Sequence, residues 1–249
     1  MRDRLLFRSS KRLEPLQEEQ TTNEESDPIH EDNNTPPPFS IDGIPTAAET
    51  AQATYIRVFS EDGTSVSFGK IVSGEGVDAD GEESTTRTIV CFIRHFLCPL
   101  CQDYMYSIGR NVDPKALEEA GLRLVIIGNG AWQMIKGYRR IFKLPYPIYT
   151  DPTAALYTAL GMTMRTLEAG PPPTYVKHKS ILSGISLVLR NAVKGRMPIW
   201  RYMGDKALLG GEFIFVKPPG KDVACVWAHR MRYTTAHEEI VNVIGEAEL

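Results

Sequence analysis

Cysteine is scarce in this chain: four residues among 249 fall far below the density of a small disulfide-built scaffold. Long apolar runs are missing as well. The longest candidate, residues 181–189, is interrupted by Ser183, Gly184 and Ser186 and ends at Arg190. A bilayer span needs roughly 20 apolar residues, so no membrane partner is expected. There is no basic excess, with 28 Lys and Arg against 31 Asp and Glu, and hence no footprint of general nucleic-acid binding. No internal repeat is visible. What the chain does have is 42% hydrophobic residues, enough for one sizeable core, and a Cys-x-x-Cys pair at Cys98 and Cys101.

The small net charge of −3 hides an uneven distribution. Residues 1–13 carry five Lys and Arg against Asp3, whereas residues 14–34 carry eight acidic groups and no Lys or Arg. The remaining chain is almost neutral. Residues 14–38 are poor in large apolar side chains and end in Pro36-Pro37-Pro38, so burial cannot offset an ordering cost of about 1–2 kcal/mol per residue. Residues 1–43 therefore read as a disordered tail and 44–249 as one domain. Leu5-Leu6-Phe7 is too short for a secretory h-region. The Arg-rich start leaves a mitochondrial presequence as the alternative to a cytoplasmic location.

Within 44–249, strand and helix patterns alternate. A helix is expected over 44–53, then a hairpin of 55–59 and 65–68 around Asp62-Gly63, then a Gly-rich acidic surface loop at 74–84. Thr88 to Ile93 is continuously apolar and rich in β-branched residues, as a central strand covered on both faces would be. It runs into Arg94-His95-Phe96-Leu97-Cys98-Pro99-Leu100-Cys101, after which 102–109 has helical spacing. A second unit follows, with helix 116–120, strand 122–128, helix 132–142 and strand 147–149. Asp151 and Pro152 suit the N-cap and first position of a helix over 153–160. Residues 163–179 look irregular and 180–193 helical. A hairpin of 212–217 and 223–228 and a helix over about 236–247 close the chain. One parallel half and one half ending in hairpin and helix describe a thioredoxin-like α/β sheet with an added N-terminal hairpin and an inserted helix.

The position of the cysteine pair carries the chemistry. At a helix start, unpaired N–H groups and the positive end of the macrodipole favour thiolate over thiol. Cys98 is the sulfur so placed. Cys101, one turn in on the same face, lies within reach of a mixed disulfide or sulfenic acid formed on Cys98. Arg94 and His95 are candidates to stabilise the thiolate or bind substrate, and His229 and Arg230, at the end of a late strand, are similar candidates. Cys91 and Cys225 sit inside apolar strand patterns and read as packing residues. Two other readings stay open: a redox-inert binding subunit, and a zinc module using His95, Cys98 and Cys101, which lacks a second paired ligand motif.

The segment Ile89 to Tyr104 resembles the peroxiredoxin-like 2 proteins, a thioredoxin-like family of AhpC/TSA type with many fungal members. The similarity extends to Pro45-Thr46 through Gly69, Leu124 to Gly128, Tyr149 to Pro152, Gly210 to Phe215 and His229 to Arg232. The resemblance implies a thiol oxidoreductase with Cys98 and Cys101 as redox pair and no bound cofactor. It further implies a peroxide, endoperoxide or disulfide as substrate and thioredoxin or glutathione as reductant. Efficient peroxidases of the wider family carry Pro-x-x-x-Thr-x-x-Cys. Aligning Cys101 with that cysteine places Cys98 at the Thr position and Arg94 at the Pro position; aligning Cys98 places His95 and Cys91 there. The family pattern often has Asp before the late histidine, where this chain has Ala236, so His237 is given no catalytic role.

Overall fold

The computed structural model describes residues 39–74, 84–177 and 181–249. The expected tail before residue 39 and nearly all of the acidic loop at 74–84 lie outside the described residues.

A seven-stranded mixed sheet organises the domain. Its centre is β3 (Thr86–Phe92), whose full-length pairing with β4 (Leu122–Gly128) is parallel. Short β5 (Ile148–Thr150) adds in parallel to β4. On the other side of β3, β6 (Gly211–Lys217) and then β7 (Ala224–Arg230) run antiparallel. The hairpin β1 (Arg57–Phe59) and β2 (Ser65–Ser67) joins beyond β5, giving the order β2-β1-β5-β4-β3-β6-β7. Parallel strands on one side of the centre and an antiparallel pair on the other make the fold thioredoxin-like, with the hairpin as an addition.

Alternation along β3 divides the core. Ile89, Cys91 and Ile93 face one cluster, built with α3 (Pro99–Asn111), α5 (Gln133–Phe142) and α8 (Ile240–Glu248). Val90 and Phe92 face the other, built with α1 (Ala47–Tyr55), α2 (Phe68–Ser73) and α6 (Ala155–Ala159). Two faces with separate cores explain why β3 and β4 read as unbroken apolar runs. Helix α4 (Pro114–Glu119) connects α3 to β4, and α7 (Ile181–Gly195) is the inserted helix, packed on α3 and α5.

Several local expectations shift. The Thr46 side chain and Glu49 form a capping box, so α1 starts at Ala47 instead of 44. Phe68 ends no strand: Ser67 caps α2, a helix absent from the sequence reading. Asp151 does not cap the first residue after Pro152; its carboxylate reaches the Leu156 N–H at 2.8 Å, and α6 begins after Ala154, which is left-handed. Residues 40–43, expected in the tail, are tied to β7, where the Arg230 N–H donates to the Ile41 carbonyl at 2.8 Å.

Tyr157 on α6 fixes the end of β3. Its hydroxyl lies 2.6 Å from the Ile93 carbonyl and 3.1 Å from the Ile127 carbonyl in a fully buried setting. Tyr157→Phe removes the hydroxyl donor from the Ile93 carbonyl, while the Ile127 carbonyl keeps the Ile93 N–H at 2.9 Å, and is expected to lower stability by about 1–3 kcal/mol, read as an earlier midpoint in urea unfolding.

Candidate active site

Cys98 is the N-cap of α3. Its backbone is extended, Pro99 occupies the first helical turn where a missing N–H costs nothing, and its sulfur accepts the Cys101 N–H at 3.4 Å. The sulfur thus takes the place that a serine or aspartate oxygen takes in other helices. Arg94, two residues beyond β3, donates from Nη1 to Cys98 Sγ at 3.3 Å and from Nη2 to the Lys206 carbonyl at 2.5 Å. His95 is buried beside them, and its carbonyl accepts the Cys98 N–H at 3.1 Å. Burial lowers the His95 imidazole below its usual range, with the neighbouring Arg94 acting in the same direction and Cys98 against it.

The two thiols differ. Burial opposes charge on Cys98, but the Cys101 thiol, Arg94, His95 and the Cys101 N–H together outweigh it and hold Cys98 well below the ordinary thiol range. Burial and the negative Cys98 sulfur push Cys101 well above that range. Both sulfurs are fully enclosed. The N-cap cysteine, Cys98, is therefore the more readily ionised one, and Cys101 in the first turn holds its proton.

Behind Cys101 stands a pair that sequence reading did not assign. His237 Nε2 lies 3.6 Å from Cys101 Sγ, and its Nδ1 lies 2.6 Å from Glu212 Oε1. Neither the Glu212 nor the His237 side chain is exposed. The imidazole stacks on Tyr104 of α3, with ring centroids 4.3 Å apart and planes 5° apart. The other Glu212 oxygen accepts the Glu238 N–H at 3.2 Å, and the Tyr175 hydroxyl accepts the His237 N–H at 3.2 Å. Glu212 reaches this place because it pairs with Cys91 across β3 and β6 and alternates with Ile214 on the α3 face of the sheet. Its signal in the sequence was a lone carboxylate inside Gly211-Glu212-Phe213-Ile214-Phe215-Val216, an otherwise apolar strand.

Arg230 is not brought to the thiols. Its Nε donates to the Leu160 carbonyl at 2.6 Å and its Nη1 to the carbonyls of Ser40 at 3.0 Å and Gly43 at 2.7 Å. Its guanidinium lies over Phe213, in the core on the opposite face of the sheet from Cys98. Its charge is spent on carbonyls that fasten residues 40–43 and α6 to β7. His229 sits opposite Glu212 across β6 and β7, but its contacts are to the Ala236 carbonyl, 3.1 Å from Nε2, and to Asp42, 3.3 Å from Nδ1, and not to either thiol. Cys91 and Cys225 are buried in the two core clusters. Among the described residues, no three His, Cys, Asp or Glu side chains converge as a metal-ligand set.

Comparison with known proteins decides the family. Human peroxiredoxin-like 2C is 30% identical over 204 residues, covering 81% of this chain and 80% of its own length. The chain belongs to the peroxiredoxin-like AhpC/TSA family. Mouse peroxiredoxin-like 2C is 29% identical over 203 residues, covering 81% of this chain and 80% of its own. A continuous alignment over that share of 249 residues necessarily includes Arg94 to Cys101. The family model for AhpC/TSA antioxidant enzymes matches residues 111–233, beginning just after the cysteine pair. Among solved structures, Xanthomonas campestris peroxiredoxin Q superposes with a TM-score of 0.46 at 11% identity, covering 82% of this chain and 92% of that one. In this peroxiredoxin-like chain, Arg94 and the N-terminal turn of α3 surround the first cysteine, and Glu212 and His237 back the second.

Proposed function

We propose that this protein is a thiol oxidoreductase that reduces a peroxide, endoperoxide or disulfide through Cys98 and Cys101. The observation that carries the reading is the opposed setting of the two sulfurs, Cys98 against Arg94 and a helix start, Cys101 against His237. Cys98 thiolate attacks one oxygen of an O–O bond. The S–O bond forms, the O–O bond breaks, and the departing alkoxide takes a proton to leave as alcohol. Cys101 then gives its proton to His237, whose Nδ1–H is held by Glu212, leaving Nε2 as acceptor. For a hydroperoxide, the Cys101 thiolate attacks the Cys98 sulfenic sulfur and releases hydroxide, which takes up the proton as water; for an endoperoxide, Cys98 holds the second oxygen as a sulfenate ester and the same attack releases it as the second alcohol of a diol. A Cys98–Cys101 disulfide remains, and two electrons from thioredoxin or glutathione restore both thiols. With a disulfide substrate, the first step is the same attack on sulfur, and a thiol leaves.

Two buried nitrogens without partners support the placement of substrate oxygen beside Cys98. Among the described residues, Arg94 Nε and His95 Nδ1 have no hydrogen-bond partner, and each belongs to a residue adjoining the sulfur. A bound oxygen function would satisfy them. The complete enclosure of both sulfurs favours a second reading, a binding subunit with inert cysteines. Steady-state turnover coupled to NADPH through thioredoxin reductase and thioredoxin, or through glutathione reductase and glutathione, separates the two. Turnover is expected with at least one of hydrogen peroxide, an alkyl hydroperoxide, an endoperoxide and a small disulfide. No turnover with any of them would leave the inert subunit.

The depressed Cys98 thiol has a pH signature. The thiolate exists above its own ionisation midpoint, so alkylation of Cys98 reaches its plateau at lower pH than that of an ordinary thiol and falls as pH drops through the lowered midpoint. Arg94→Met removes the cation and is expected to raise the midpoint, slowing alkylation near neutrality. Iodoacetamide labelling across pH, quantified at Cys98 by mass spectrometry, reads both curves.

A further inference from the structure

We infer that the outward face of α7 and the turn after it form a docking surface for an anionic lipid bilayer. Helix α7 is amphipathic in an unusual sense. Its packed side is made of small or polar residues, Gly184, Asn191, Ala192 and Gly195, all buried. Gly195 packs so closely on α5 that an added Cβ would lie 2.7 Å from Ile141 Cδ1 and 2.8 Å from the Gly137 carbonyl. Asn191 donates to Gln102 of α3 at 2.8 Å. Four of the large aliphatic residues point the other way, while Leu187 and Val188 are half-buried. Leu182, Ile185, Leu189 and Val193, spaced three, four and four apart on one stripe, are 79%, 57%, 60% and 73% exposed. Trp200, 79% exposed, and Tyr202, 52% exposed, follow in the turn after the helix.

Charge selects the occupant. From Ala169 to Gly204 the chain has six Lys and Arg and no Asp or Glu. Four of the six, Arg190, Lys194, Arg196 and Arg201, are exposed on α7 or the turn after it. Exposed aliphatic side chains on α7, an exposed Trp and Tyr in the following turn, and exposed cations on the same two segments fit the interface of a bilayer with negatively charged headgroups. A second copy of the chain fits less well, because a two-fold contact through this face sets the same cations against each other. Docking here involves no spanning segment; no described helix is long and apolar enough to cross a membrane. The inference stands apart from the thiol chemistry, although α7 packs directly on α3, the helix that begins with the cysteine pair.

Flotation of the full chain with two kinds of vesicle tests it, one of phosphatidylcholine alone and one with phosphatidylserine as about one third of the lipid. The protein is expected to float with the second and not the first, to be released by high salt, and to show blue-shifted tryptophan emission when bound. The pairs Leu189→Asp with Val193→Asp and Arg190→Glu with Lys194→Glu are each expected to weaken binding by about tenfold or more, with unfolding midpoint and Cys98 alkylation unchanged. The inference is overturned if the wild-type chain does not float, if it binds both vesicles equally, or if both folded variants bind as well as wild type. It is also overturned if sedimentation shows a dimer in solution that the Leu189→Asp with Val193→Asp pair splits.

Discussion

Cys98→Ser is expected to lower turnover by about a thousandfold or more, whereas Cys101→Ser is expected to complete the first half-reaction and stop. Arg94 and the N-terminal turn of α3 act on the atom at position 98, and a serine hydroxyl there has no accessible ionised form near neutral pH. Cys101 carries no such activation, since burial and the adjacent sulfur keep it protonated. It cannot take over as attacking group. In Cys101→Ser the sulfenic acid on Cys98 has no intramolecular partner and accumulates for trapping by dimedone. Steady-state rates and dimedone adducts on the two variants check the assignment. Full turnover by Cys98→Ser would reverse the roles or remove the pair from the mechanism.

His237→Gln is expected to slow disulfide closure by about a hundredfold or more while leaving the oxidation of Cys98 unchanged. Apart from the Cys98 sulfur, which is oxidised before this step, the imidazole is the described side-chain base in hydrogen-bond range of Cys101, at 3.6 Å, and the 2.6 Å contact with Glu212 fixes its ring and tautomer. Glu212→Gln keeps a side chain of the same shape but weakens that hold, so a smaller loss of about tenfold to a hundredfold in the same step is expected. Removing His237 also takes from the buried Glu212 carboxylate its 2.6 Å partner, which costs stability by about 1–3 kcal/mol. The more conservative Glu212→Gln keeps the test decisive should His237→Gln fold poorly. Stopped-flow measurement of the two half-reactions separates a proton-transfer role from a structural one. A structural defect slows both steps; loss of the relay slows the second alone.

Much of the fold was legible because β3 and β4 are buried on both faces and the turns carry strong local signals. The Asp62-Gly63 hairpin and the strand 122–128 formed as expected. Helix starts were less legible, since they depend on side-chain caps such as Thr46 with Glu49, and on long reaches such as Asp151 to Leu156, which spacing does not reveal. The cysteine pair could be read because a strand-to-helix junction gives local meaning to Cys-x-x-Cys. Its partners could not. Glu212 and His237 lie more than 100 residues away in sequence and meet Cys101 only through the pairing of β6 with β3 and the turn before α8. Arg230 shows the reverse failure: a cation at a strand end looked available for anions, but strand alternation sends it to the far face, where three carbonyls occupy it.

The redox pair itself is tested most directly by peptide mass spectrometry after one equivalent of a substrate peroxide, with free thiols blocked at once by alkylation. The prediction is a disulfide linking Cys98 and Cys101, reversed by thioredoxin, with Cys91 and Cys225 recovered in alkylated, unoxidised form. Recovery of Cys98 and Cys101 as free thiols after the peroxide has been consumed, or a disulfide that excludes Cys98, would contradict the mechanism.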